Sequence, residues 1–167
     1  TRHQVIHQDA HQGNVLVDLT WGAQISGIID FGDMLYGSIV SDLAIAADCY
    51  LEDETDPVKV LCDVVSGYDS KHALEENEID LVFDMSLLRL VNTVIIINAR
   101  NVKEDSEGVH LANTGKHARM LALMLDVGRE EGTRRLRRVC RFPVQSIPAI
   151  YKSNDKNNES HLDKLIA

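Results

Sequence analysis

Long apolar runs are scarce in this chain of 167 residues. The greasiest stretch, Val94 to Ile97 with its neighbours, is interrupted by Asn92, Asn98 and Arg100, and is too short to span a bilayer. Cysteine is also scarce. Cys49, Cys62 and Cys140 are odd in number, far apart and in no C-x-x-C arrangement, which argues against a disulfide framework or a structural zinc site. A reducing cytoplasm is therefore the expected location. Positive charge is short as well: 17 Lys and Arg face 26 Asp and Glu, for a net charge of -9. That balance excludes general attraction to nucleic acid or to an anionic membrane surface, so any phosphate must be held locally. Finally, the chain opens Thr1-Arg2-His3-Gln4, without an initiator Met or an apolar leader. Because the informative residues begin by position 7, a fragment with an N-terminal partner upstream is expected.

What is present suits one folded domain. A composition 44% hydrophobic and 26% charged is that of a globular chain, and the length suits a single core. Val15-Leu16-Val17 and the run Ile25 to Ile29 are short apolar segments separated by Asp18, Thr20, Trp21 and Gly22, which predicts a β-hairpin. After Gly37 the period becomes helical. Ser38 can cap a helix in which Val40, Leu43, Ala44, Ala47 and Leu51 recur at spacings of three and four, ending near Asp53. Asp56-Pro57 reads as a second helix start, with Val58, Leu61, Val64 and Val65 on its buried stripe and Gly67 weakening its end.

From about Glu76 to Ala99 the pattern continues through Ile79, Val82, Phe83, Leu87, Leu90, Val91, Val94 and Ile97. It turns apolar nearly all round past Leu87, which predicts a helix in the middle of a bundle. Residues 101–112 are polar and read as a loop, and Leu121, Leu125, Leu136 and Val139 mark two further helices broken at Gly128. Lys152 to Lys164, rich in Asn, Asp, Lys and Ser, reads as a tail or linker. The predicted organisation is a folded lobe over 1–142 and a tail or linker over 143–167.

The densest chemical signal is His7-Gln8-Asp9-Ala10-His11-Gln12-Gly13-Asn14, followed sixteen positions after Asn14 by Asp30-Phe31-Gly32. This fits the spacing H-x-D-x-x-x-x-N and the later D-F-G of kinase-type phosphoryl transfer. A carboxylate on an exposed loop must reach the acceptor hydroxyl, and an amide a turn later must reach back to a metal. Asp9 and Asn14 suit those jobs. Asp30, where the second apolar run ends, can join Asn14 in offering hard oxygen donors to Mg²⁺ beside nucleotide phosphates. Asp9 would accept a hydrogen bond from the acceptor alcohol and take its proton late, so positioning is most of its work.

These residues resemble a known family. Val5 to Val17, Gly27-Ile28-Ile29-Asp30-Phe31-Gly32-Asp33 and Asp42-Leu43-Ala44 look like the C-terminal lobe of the aminoglycoside phosphotransferase and choline kinase group. Within it, Ile29 to Met34 and Ser41 to Ala46 are most similar to hydroxylysine kinases and to phosphotransferase domains fused to class III aminotransferases. The resemblance implies an α+β, mainly α fold: the C-terminal lobe of the protein-kinase-like fold, with a small hairpin carrying the catalytic and metal loops. It implies Asp9 as catalytic aspartate, Asn14 and Asp30 as magnesium ligands, His7 as a loop-organising residue, and Asp42 as a carboxylate bracing the loop through backbone N–H groups. ATP or GTP would be the phosphate donor, with Mg²⁺ as cofactor. Nothing here resembles a Gly-rich phosphate loop or a strand lysine paired with a helix glutamate, so the nucleotide-binding residues are expected mainly in a missing N-terminal lobe. One departure stands out: Gln8 occupies a position where the family usually has Gly, which would permit a backbone conformation that Gln resists, at a cost in activity.

Other readings are weaker. His7 and His11 are four apart, as in H-E-x-x-H, but Gln8 takes the place of the general base and Gly13 opposes a helix. A protein kinase is disfavoured because only nine residues separate Asp33 from Leu43, no Ala-Pro-Glu follows, and His11 stands where Ser/Thr kinases carry lysine. The expected partner is a small hydroxylated molecule, with no nucleic acid and no membrane. Glu52, Asp53, Asp80 and Asp84 are candidates for recognising a cationic one, though such charges are more often solvated faces. Arg134, Arg135, Arg137, Arg138 and Arg141 are explained by a last helix near its C-terminal dipole. The alternative of another class is a non-catalytic lobe that keeps the loop for binding or scaffolding.

Overall fold

A computed structural model describes residues 1–20, 22–50, 55–101 and 109–144, with side chains over 1–20, 22–50, 55–99 and 115–144. Among them the chain is mainly helical with two small antiparallel sheets, in agreement with an α+β, mainly α class.

The first 38 residues carry all the strands. β1 (His3–Ile6) pairs with β4 (Leu35–Ser38), setting Val5 opposite Tyr36. Between them β2 (Val15–Asp18) and β3 (Gln24–Ile28) form the predicted hairpin, with an irregularity between Leu16 and Val17. β1 and β4 carry no clear alternation of apolar and polar residues, and pairing rather than pattern defines them. Gly37 makes that pairing possible at close range, because a Cβ there would lie 2.6 Å from Leu35 and 3.0 Å from Ile6.

The helices follow. α1 (Ile39–Asp48) buries Ile39, Val40, Leu43, Ala44 and Ala47. It starts where predicted, but the Ser38 hydroxyl donates to Thr1 Oγ1 at 3.0 Å rather than capping the helix, and the helix stops at Asp48, short of Asp53. Leu51, Glu52 and Asp53 lie outside the described residues. α2 (Pro57–Asp69) begins as expected: the Asp56 carboxylate accepts from Lys59 N–H at 3.1 Å and Pro57 opens the first turn. It runs on through Gly67. α3 (Glu76–Asn101) and α4 (Val109–Val139) are the long pair, and α4 bends at Gly128, whose φ of 74° breaks the helical path as anticipated.

The core lies where α1, α2, α3 and α4 meet, around Phe83, Leu61, Ile79, Leu90, Met120, Met124 and Leu136. Phe83 lies against Gly132, where a Cβ would collide with its ring. One expectation is corrected here: α3 is not enclosed beyond Leu87. Leu88, Ile95 and Ile96 are about half exposed, because no described element covers that side. Leu125 and Val139 also face outward, and Met120 and Met124 fill the core instead. Residues 109–112 are helical rather than loop. The predicted tail falls almost wholly on residues 145–167, outside the described ones. No helix among the described residues is long and apolar enough to cross a membrane.

Candidate active-site loop

The loop after β1 is pinned from the bundle. Asp42, in the first turn of α1, accepts the backbone N–H of His7 at 3.3 Å through Oδ2 and that of Gln8 at 2.8 Å through Oδ1. Two charge-assisted bonds to successive amides fix the chain where it turns. Gln8 sits at φ 66°, the left-handed region that glycine adopts freely and glutamine does not, and its Oε1 is buried with no donor. The resemblance to the family pointed to this backbone conformation, and the structure has it despite the side chain.

His7 joins the loop to the far end of the hairpin. Asp9 N–H donates to His7 Nδ1 at 3.3 Å, so the ring proton resides on Nε2, which donates to the Ile29 carbonyl at 3.0 Å. The ring also packs on Phe31 with centroids 5.2 Å apart. His7 is in a turn rather than a helix, so His7 and His11 do not form a helical metal pair.

Asn14 is buried and folds back on Asp9. Its Nδ2 donates to the Asp9 carbonyl at 2.9 Å and to Asp9 Oδ2 at 3.0 Å, leaving Oδ1 as the free oxygen of the amide. Its carbonyl accepts Ile29 N–H at 3.0 Å, which brings this loop against the residue preceding Asp30. Asp30 is exposed, turns the chain at φ 63° and makes no side-chain cap bond to the short 3-10 turn Phe31–Asp33. The described contacts therefore draw His7, Asp9, Asn14 and Asp42 together and connect Asp30 through Ile29. The donor chemistry fits a magnesium ion: one amide oxygen and one exposed carboxylate, both hard and both without a donor among the described residues. No group of three or more His, Cys, Asp or Glu suited to a metal occurs among the described residues.

Elsewhere the charges are structural. Asp80 and Asp84, candidates for recognising a cationic substrate, are each held by arginine: Arg137 grips Asp80 at 2.5 and 2.6 Å and Arg129 grips Asp84 at 2.8 and 2.9 Å. Arg135 reaches Asp56, and Arg134 pairs with Glu131. Burial pushes the Cys62 thiol up to about 11 and the Cys140 thiol to about 12, so neither offers a thiolate nucleophile at neutral pH. Sequence reasoning missed one strong fastening. Arg2 forks onto the fully buried Glu78 at 2.6 and 3.0 Å, and those hydrogen bonds hold the carboxyl down at about 2. A lone arginine before a strand gave no sign of this.

The phosphotransferase enzyme family matches residues 1–70, the span that contains every element of this loop. That segment is similar to the family. The hydroxylysine kinase of Mus musculus is 32% identical over 101 residues, 57% of this chain and 27% of that protein. The hydroxylysine kinase of Danio rerio is 28% identical over 137 residues, 80% of this chain and 39% of its own length. That of Bos taurus is 29% identical over 139 residues, 77% of this chain and 36% of its own. The chain thus spans between about a quarter and two-fifths of the curated relatives it matches. No solved structure matches it.

Proposed function

We propose that this chain supplies the catalytic and metal loops of an ATP- or GTP-dependent phosphotransferase acting on the hydroxyl of a small molecule. An amino alcohol or hydroxylated amino acid such as hydroxylysine is the preferred acceptor. The reading is carried by one observation: a loop pinned by Asp42 holds Asp9 against the Asn14 amide while the Asn14 Oδ1 and the Asp30 carboxylate stay free. The names of the relatives support the acceptor class.

In this proposal Asp9 accepts the alcohol's hydrogen bond and orients its oxygen for in-line attack. His7 and Asp42 hold the loop that carries it, and Asn14 and Asp30 hold magnesium. Bound there, Mg²⁺ would neutralise phosphate charge. The nucleotide-clamping groups belong to an N-terminal lobe upstream, the C-terminal lobe being of protein-kinase-like type, and the enzyme would work in the cytoplasm. By itself the chain would bind nucleotide weakly and turn over negligibly.

The test is a phosphorylation screen of the full-length protein against hydroxylysine, choline, ethanolamine and aminoglycosides, with Asp9→Asn beside it. Transfer should fall by about 10²–10⁴-fold in the variant with its fold intact. Equal turnover would remove Asp9 from the chemistry.

A second reading, a non-catalytic lobe used for binding, is favoured by Gln8, whose strained backbone and orphaned amide oxygen burden the loop. Absence of transfer to every acceptor, together with magnesium-dependent nucleotide binding, would select it.

A further inference from the structure

We propose that His11 is a positioning residue for Asp9, a role that rests on the phosphotransferase reading above and adds a group to it. The imidazole lies folded over Gly13, so closely that a Cβ at that position would sit 2.7 Å from the ring. There the Gly13 N–H donates to His11 Nδ1 at 3.0 Å. A backbone amide can only donate, so Nδ1 is the acceptor nitrogen and the neutral ring carries its proton on Nε2. That nitrogen lies 3.5 Å from Asp9 Oδ2.

The consequence concerns the two oxygens of one carboxylate. Oδ2 already takes the Asn14 amide at 3.0 Å, and His11 Nε2 is a second N–H within 3.5 Å of the same atom, close enough to become a donor as the site tightens. Oδ1 has neither, and is the oxygen left to receive the alcohol. The fixed tautomer also decides what His11 does not do. With its proton on Nε2 and the Gly13 N–H blocking Nδ1, it has no vacant lone pair facing Asp9 and does not relay the alcohol's proton. At 3.5 Å the contact is longer than a good hydrogen bond, as catalytic contacts are before substrate draws the site together.

His11 also caps the short 3-10 turn Gln12–Asn14, and a cap alone makes the opposite prediction from a positioning donor. Asn is a good cap but cannot reach Asp9, whereas Gln caps less well and carries an N–H about as far out as Nε2. In the full-length protein His11→Asn should lower kcat by about tenfold or more, with KM for nucleotide within about twofold, and His11→Gln should restore most of the loss. Wild-type kcat in His11→Asn, or a poorer His11→Gln, would overturn the role and leave a cap only.

Nitrogen-15 spectra of the wild-type imidazole at mildly alkaline pH provide a readout independent of turnover and of variant folding. A proton on Nε2 is expected, and one on Nδ1 overturns the proposal. If the wild-type protein transfers phosphate to no acceptor, the functional reading falls and takes this role with it, and the spectra then report ring geometry alone. A normal wild-type rate with an unaffected His11→Asn defeats only the role of His11.

Discussion

The strand-bearing first 38 residues and the four helices after them are held by different forces. The helices enclose an apolar core around Phe83, Leu61 and Met124 and are laced on the outside by arginine–carboxylate pairs. The strands enclose almost nothing. Ile6 is their one buried large apolar residue among those described, while Val5, Ile25 and Tyr36 are more than half exposed. Directional bonds keep this region in shape, and several originate in the bundle: Asp42 to the His7 and Gln8 amides, and Glu78 to Arg2. The helices are therefore the foundation, and the loop takes its geometry from them.

That division can be broken from either side. Phe83→Ala should have the largest effect on stability, about 3–5 kcal/mol, since it empties the centre of the core. Urea unfolding by circular dichroism measures it, and a loss below about 1 kcal/mol would mean that the bundle is not the foundation. Asp42→Ala should cost less, about 1.5–3 kcal/mol, because it strands two amide donors, yet it should damage phosphate transfer by the full-length protein far more than an equally destabilising core change. Parallel loss of stability and activity in the two variants would erase the distinction between the regions.

Acid should act on the second fastening. Glu78 has its folded pKa depressed to about 2, so the bonds to Arg2 contribute fully above the ordinary carboxylate range near 4.5 and are lost as pH falls toward 2. The stability gap between wild type and Glu78→Gln should shrink across that window, and a gap constant with pH would rule out the charged pair as its source. Smallest of all, Gln8→Gly should stabilise the protein by about 1 kcal/mol, because relief of the left-handed strain exceeds the entropic cost of glycine. It should also raise turnover of the full-length protein. A lower melting temperature would mean that the glutamine is well accommodated.

Much of this was legible in the residues themselves. The β2–β3 hairpin, the Asp56-Pro57 helix start and the break at Gly128 are governed by local chemistry, and local chemistry can be read from neighbours. The spacing of His7, Asp9, Asn14 and Asp30 located the loop, because a short loop can gather such groups only at restricted intervals. Pairing of β1 with β4 was not legible: it joins segments some thirty residues apart that lack alternation. The exposed side of α3 was misjudged for a different reason. An all-round apolar helix signals that a cover is required, not that this stretch of chain contains it. His11 was weighed as a zinc ligand and as the residue standing where Ser/Thr kinases carry lysine, but not as a partner of Asp9. Its place two residues before Gly13 was the available sign, since a ring can fold over a residue that has no side chain.

The contact between Phe83 and Gly132 has a consequence for how the chain can vary. It acts as a detent between the two longest helices, fixing how far one slides or rolls along the other. Even a methyl group at position 132 would have to push aside an aromatic ring that is wedged on every side. The two positions are thus constrained to change in concert, with the ring shrinking before the glycine can grow.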